Sequence, residues 1–484
     1  MASTPSTDLT TKSATELVRL IRTRGVSPVE VVEAHLRRIE QLNPSLNAIV
    51  TLADNLMDRA RACETELMSR RDVGLLHGLP ITIKDTIDTA GIRTTSGSRI
   101  LSNHVPTRDA PAVARLKAAG AIVLGKTNVP EMAIPYETDN PVFGRANNPY
   151  NPLMTPGGSS GGEAAAIAAC LSPAGIGSDL SGSIRVPAHF CGIAGLNPTT
   201  GRVPMQGHTP SASGVVALGA CIGPMARRIE DLALLFGVLA EPTQFEAQEE
   251  SEIFDIKKLR SARVAWYTDD GVVPVADEIK LAVNSAAQAL ADAELEIIDA
   301  MPPGISTAPQ LWIDLFSHAA NSEIAALYRE REDEAGPQVA RLLRSFSEES
   351  NEFEDRIETA ERLAGAVLER ERAREELLRW MKTTPLILAP VGATAAFAHG
   401  AARVKITGQS TSVFRAFSYS RTFNVLGLPS VAVPAGQAST GLPIGVQIIG
   451  RPFEERTVLA AASIIEEALG GWKGPAEIQR MLEN

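Results

Sequence analysis

Along this chain the apolar residues recur with two different periods. Near the N-terminus they follow the helical one. Ser13-Ala14-Thr15-Glu16 is a capping box that opens a helix through about Arg22. Ser27-Pro28-Val29-Glu30 is a second box, with Pro28 at the first helical position. Its helix runs to about Leu42 and carries Val31, Val32, His35, Leu36 and Ile39 on one face. A third helix covers residues 55–69, and residues 1–9 read as a loose tail. From Gly78 onward the texture changes to short apolar runs bounded by glycine and proline. Residues 79–84, 121–124, 174–176, 263–267, 385–390, 429–434 and 444–449 read as strands. Helical stretches over 109–119, 162–171 and 454–469 alternate with them. Such alternation predicts an α/β fold, with a central mixed sheet buried on both faces by helices. Residues 241–260 are acidic and poorly patterned and read as a surface crossover. Residues 306–381 are helix-rich and charged, with 352–380 long enough for one helix. Strand texture at both ends predicts one large domain, with residues 1–70 as a tail and helical layer on a core spanning 71–484. The stretch at about 306–381 reads as an insertion in that core.

Composition narrows the partners. The net charge is −11 and no run of Lys or Arg stands out, which disfavours nucleic acid and anionic membrane surfaces. No apolar run approaches the ~18 residues of a membrane span. The opening MASTPSTDLTTKS lacks the apolar core of a signal peptide, so a cytoplasmic chain is expected. Cys63, Cys170, Cys191 and Cys221 are widely spaced with no CxxC pair, so no zinc or redox centre is implied. Cys170 and Cys191, set among small apolar residues, read as buried reduced thiols. No metal or cofactor is expected.

The chemistry concentrates in TPGGSSGGEAAAIAACLSPAGIGSDLSGSIRVP, residues 155–187. Ser159 lies in one glycine-rich turn, Gly157-Gly158-Ser159-Ser160-Gly161-Gly162, and Ser183 in another, Ser181-Gly182-Ser183-Ile184-Arg185. Glycine accepts backbone angles that a Cβ forbids, so such turns converge N–H groups on one point. A serine among converging donors suits acyl transfer, as a nucleophile beside an oxyanion hole. The same turn could cradle phosphate, but the Gly-Lys-Ser/Thr ending of a P-loop is absent.

A serine needs a base. None of the seven histidines lies in a triad motif, and His189, in Val-Pro-Ala-His-Phe, reads as a packed structural residue. Lys84, at the end of a strand, is the better candidate. Its reference pKa lies near 10.4, and burial can lower that by roughly 3–5 units. Ser159 could then relay a proton from Ser183 to Lys84.

Lys84, Ser159 and Ser183, in that order and spacing, resemble the Ser–Ser–Lys triad of the amidase signature family. The resemblance runs from His77-Gly78-Leu79-Pro80 through Leu124-Gly125-Lys126-Thr127-Asn128, Asn147-Asn148-Pro149-Tyr150-Asn151-Pro152 and Gly195-Leu196-Asn197-Pro198-Thr199. It returns in Gly427-Leu428-Pro429, Gly441-Leu442-Pro443-Ile444-Gly445-Val446-Gln447 and Gly450-Arg451-Pro452-Phe453. The resemblance implies that Ser183 attacks the carbonyl, that Ser159 follows a cis Gly158–Ser159 peptide and shuttles protons, and that Lys84 is the ultimate base. It also implies an oxyanion hole from the backbone N–H groups of Leu180, Ser181, Gly182 and Ser183, with Ser160, Asp179 and Arg185 supporting the turn. Two positions depart from the family: Ser181 stands where Gly or Ala is frequent, and Asn197 where Lys is common.

The expected activity is hydrolysis of a small-molecule carboxylic amide to a carboxylate and an amine or ammonia. Carbamates, aryl acylamides and esters pass through the same tetrahedral oxyanion and remain alternatives. The family includes the glutaminase subunit of tRNA-dependent amidotransferases, where glutamine commonly follows the Ser-Ile-Arg run. Val186 occupies that place here and argues for a neutral or apolar acyl group. Met132, Ile134 and Tyr136 join Val186 as candidate pocket residues. A scaffold that keeps the fold without turnover is a remote alternative, and a homodimer is a family-level expectation.

Overall fold

The computed structural model describes residues 8–69, 72–240, 259–349, 353–476, 478 and 480. Its centre is an 11-stranded mixed sheet. In chain order the strands are β1 (Ile49–Leu52), β2 (Pro80–Lys84), β3 (Ile122–Thr127), β4 (Ala174–Asp179), β5 (Ala194–Asn197), β6 (Cys221–Ala226), β7 (Arg263–Trp266), β8 (Glu296–Asp299) and β9 (Leu386–Pro390). A separate ribbon, β10 (Arg403–Ile406) with β11 (Gln409–Ser412), precedes β12 (Ser430–Gln437) and β13 (Pro443–Ile449). The order across the sheet is β1-β3-β2-β4-β6-β5-β12-β13-β9-β7-β8. β3, β2 and β4 run parallel, as do β9, β7 and β8, and antiparallel pairs join these two blocks. Every residue of β2, β4, β6 and β13 is buried, as an α/β sheet covered on both faces requires.

The N-terminal helices form as their caps dictate. Ser13 and Glu16 close one capping box over Ala14–Arg22, and Ser27 and Glu30 close the other over Pro28–Leu46. The second helix runs past its expected end at Leu42, through Pro44, and stops where Asn47 turns left-handed. The Asn43 side chain accepts the Ala48 and Ile49 N–H groups at 3.0 and 2.9 Å and directs the chain into β1. Residues 8 and 9 are not loose: Asp8 caps Leu9–Thr11 and pairs with Arg38. The helices Leu56–Ser69, Pro111–Ala118, Gly161–Ala168 and Glu455–Leu469 match the expected positions to within a few residues. The expected crossover over 241–260 falls largely outside the described residues.

Several elements have no clear signature in the sequence. β5 and β6 are short and rich in Gly, Ala and Pro, and β6 holds Pro224 opposite Ile176 in the middle of the sheet. Proline ordinarily argues against a central strand. The helix Arg185–Cys191 also contains a proline, at its third position. Among the described residues no helix is long and apolar enough to cross a membrane.

Candidate active site

β2 and β4 lie side by side and parallel, with Ile83 opposite Ile176, so their C-terminal ends open on the same edge. That edge is where open α/β sheets present their ligand crevice. Lys84 is the last residue of β2, and Ser178 and Asp179 end β4. Ser159 and Ser160 precede the helix Gly161–Ala168, and Ser183 precedes the helix Arg185–Cys191. The two turns are tied by the Ser160 N–H, which donates to the Ser183 carbonyl at 3.1 Å. Residues far apart in the chain thus meet at one strand edge.

Lys84 is fully buried. Its Nζ lies 2.7 Å from Ser159 Oγ, 2.9 Å from Ser178 Oγ and 3.3 Å from the Ser178 carbonyl. Burial pushes its pKa down to about 7, although the charges of Asp179 and Glu163 oppose that shift. A neutral amine is therefore accessible at physiological pH. The Gly158–Ser159 peptide is cis, as the resemblance implies. Ser159 and Ser183 both line one cavity of about 740 Å³. Among the described residues the Ser183 hydroxyl makes no hydrogen bond. Catalytic hydrogen bonds commonly tighten only when substrate is bound.

The loop around Ser183 is fixed by Asp179. Its carboxylate accepts the N–H groups of Gly182 at 2.6 Å and Ile184 at 3.0 Å, and pairs with Arg185 Nε at 3.1 Å. Asn424 Nδ2 donates to it at 2.9 Å, and Arg185 reaches on to Gln447 at 2.8 Å. Burial alone would raise the Asp179 pKa, but the Arg185 charge and these donors hold it below the usual carboxylate range. One expectation is corrected here. The Gly182 N–H is committed to Asp179, so it is not free for an oxyanion. The N–H groups of Leu180, Ser181 and Ser183 carry no acceptor among the described residues. The carbonyls of Leu180 and Ser181 are held from the other side, by Trp312 Nε1 at 2.8 Å and the Tyr136 hydroxyl at 2.6 Å. Gly182 has φ +98°, and a Cβ there would lie 2.5 Å from Ser420 Cβ. No other residue fits.

Met132, Ile134 and Tyr136 line the cavity. Val186 does not. It is wholly buried on the helix after Ser183, behind Gly182, and contributes to the core. Trp312, Ile324, Phe397 and Phe414 complete an apolar wall that had no sequence signature. His189 is structural: its Nδ1 accepts the Gly445 N–H at 2.7 Å, its Nε2 donates to the Thr394 carbonyl at 3.1 Å, and burial lowers its pKa to about 4. The four cysteines are free thiols, three of them buried. Among the described residues no group of His, Cys, Asp and Glu is placed to hold a metal ion.

The family described as Amidase matches residues 30–459. A glutamyl-tRNA(Gln) amidotransferase subunit from Thermus thermophilus is 35% identical over 470 residues, covering 92% of this chain and 94% of its own. The solved structure of 6-aminohexanoate cyclic dimer hydrolase with substrate superposes with a TM-score of 0.83 at 27% identity, covering 99% of this chain and 100% of that one. A bacterial aryl acylamidase of the amidase signature enzymes superposes with a TM-score of 0.81, also at 27% identity, covering 94% and 96%.

Proposed function

This chain belongs to the amidase signature family, and from that premise we propose that it hydrolyses small amides with a neutral, largely apolar acyl group through an acyl-enzyme on Ser183. Ser183 Oγ forms a bond to the carbonyl carbon and passes its proton to Ser159, which gives its own to neutral Lys84. The oxyanion is held by the free N–H groups of Leu180, Ser181 and Ser183. The proton then returns through Ser159 to the leaving nitrogen, and the C–N bond breaks. Water attacks the resulting ester by the same relay, releasing the carboxylate and restoring Ser183. The observation that carries this reading is the buried Lys84 amine 2.7 Å from Ser159 Oγ, with a pKa brought to about 7. A base poised near the working pH is the most effective one.

The apolar acyl preference is supported by the wall of Met132, Ile134, Tyr136, Trp312 and Phe414. The carboxylates that line the cavity are engaged: Asp179 by Arg185, and Glu137 by the Gly400 N–H at 2.9 Å and by His399. Carbamates and aryl acylamides suit the same site, and likeness to the aryl acylamidase favours an aromatic group.

A second reading, the ammonia-producing component of an amidotransferase, is favoured by the 35% identity to an amidotransferase chain. Against it stands the ammonium of glutamine, which needs a partner on leaving water: Arg341 lines the cavity and can pair a carboxylate, but the lining carboxylates Asp179 and Glu137 are already engaged. Assay of one purified protein against primary amides, anilides, carbamates, esters and glutamine tests the choice. The proposal expects turnover of apolar amides with little glutaminase activity, and a strong preference for glutamine would reverse it.

A further inference from the structure

From the hydrogen bonds behind Lys84 we infer that His208 is a positioning residue that aims the Lys84 lone pair at Ser159. The inference rests on the reading of Lys84 as base. His208 lies in Gly207-His208-Thr209-Pro210, a segment with no catalytic motif. Its ring lines the same cavity as Ser159 and Ser183. Nδ1 is 2.8 Å from the Pro210 carbonyl, and Nε2 is 2.8 Å from Ser178 Oγ.

The direction of each bond follows from what its atoms can do. A carbonyl only accepts, so Nδ1 carries the hydrogen. Burial pushes the His208 pKa down to about 4, and the neighbouring Lys84 pushes it the same way, so the ring is neutral and Nε2 is an acceptor. The charged groups acting on this pair are Lys84 and Lys126 on His208, and Asp179 and Glu163 on Lys84.

Ser178 therefore donates its hydroxyl hydrogen to His208. Its oxygen can then only accept from Lys84 Nζ, 2.9 Å away. The Ser178 carbonyl, 3.3 Å away, also only accepts. A neutral amine has two N–H donors and one lone pair. With both donors directed at Ser178, the lone pair is left for the third neighbour, Ser159 Oγ at 2.7 Å. Without an acceptor at His208, the Ser178 hydroxyl is free to turn and donate to Lys84, occupying the lone pair that the relay needs. The ring hydrogen-bonds to Pro210 and Ser178 and to none of Lys84, Ser159 and Ser183, so on this inference His208 acts through Ser178.

Two polar replacements divide the ring's functions. His208→Gln can place its amide oxygen near the Nε2 position and keep the acceptor. His208→Asn can keep the tether to Pro210 but cannot reach Ser178. The expected result is a kcat loss of about 10²-fold for His208→Asn with KM little changed, the scale of a misaligned catalytic group. His208→Gln should recover most of that loss. Ser178→Ala and the double variant Ser178→Ala/His208→Asn should lose equal activity, because the second change has nothing left to act on. In the unsubstituted protein, nitrogen-15 NMR of the His208 side chain should show Nδ1 protonated and Nε2 bare. Wild-type kcat in His208→Asn, additive losses in the double variant, or the opposite tautomer would overturn the inference. Should Lys84→Ala keep its activity, the base assignment itself fails. Should Lys84→Ala be inactive while His208→Asn is fully active, only the role of His208 fails.

Discussion

The two sides of the cavity are built by opposite rules. On the β2–β4 edge, Lys84, Ser159, Asp179, Ser183 and Arg185 are all buried, and the Asp179 carboxylate alone gathers backbone, arginine and asparagine donors. Across from it lie the helices Ala308–Trp312, His318–Tyr328 and Pro337–Glu349; the first is buried in the main core, and the other two are largely half-buried or exposed where their side chains are described. Ile313–Ser317 between the first two is a π-helical turn, a form that recurs at functional sites. Polar contacts tie the outer part of this wall to the loop after β3. The Tyr328 hydroxyl donates to Glu131 at 2.7 Å, and Glu131 also accepts the Gly336 N–H at 2.9 Å. Its small apolar cluster of Met132, Ile324, Tyr328 and Val339 is separate from the main core. Chemistry that depends on hydrogen-bond geometry sits where packing tolerates no change. The part of the acyl-fitting surface carried by His318–Tyr328 and Pro337–Glu349 sits where more residues can change at little cost to the fold, while Tyr136 and Trp312 are shared with the main core.

The largest expected effect is on the buried side. Ser183→Ala should lower kcat by roughly 10⁶-fold, the scale seen when a nucleophile that acts as a unit with its base is removed. Lys84→Ala should cost about 10²–10⁴-fold. Both should keep the fold, read as an unchanged circular dichroism spectrum. Substantial turnover in either would place the chemistry elsewhere.

Gly182→Ala should come next. Its added Cβ meets Ser420, and the displaced loop should lose oxyanion stabilisation worth about 10²–10³-fold in kcat. Steady-state kinetics with a well-bound amide checks this, and an effect confined to KM would contradict it.

How much of this contrast could be read from the sequence follows the same division. Ser159 and Ser183 stand out because glycine-rich turns have a compact local pattern, whereas Lys84, ordinary by itself at a strand end, stands out only through its order and spacing to them in the family resemblance. The N-terminal helices are legible from Ser13/Glu16 and Ser27/Glu30, since a cap is a local device. β5 and β6 are not, because their burial comes from neighbouring strands rather than from their own Gly- and Pro-rich residues. Val186 misleads for a related reason: proximity in sequence to Ser183 does not decide which way a helical side chain faces. Trp312, Phe414 and His208 reach the site only through the fold, from segments with no recognisable pattern of their own.

A change in pH should act on the buried side through Lys84. Lys84 accepts a proton only when neutral, so kcat/KM should rise with pH and level off above about 7. His208, with a pKa near 4, stays neutral through that range and adds no second limb. A profile flat from pH 5 to 9 would remove Lys84 as the titrating base.

The smallest effects belong to the wall. Ile134→Ala or Trp312→Phe should change the preference between short and long acyl groups by about 10- to 200-fold, the range available to apolar contacts. With a short primary amide kcat should stay close to its original value for Ile134→Ala. Trp312 also holds the Leu180 carbonyl, so its variant should lose some kcat as well. If both variants lost kcat equally for all substrates, the two sides of the cavity would not be separable.

The central claim is that the acyl group is carried by Ser183 while Ser159 only passes protons. Rapid acid quenching during turnover of an activated amide or ester, followed by peptide mass spectrometry, tests it directly. The account predicts an acyl mass on the peptide at Ser183, absent in Ser183→Ala. An acyl mass on Ser159 instead would contradict it.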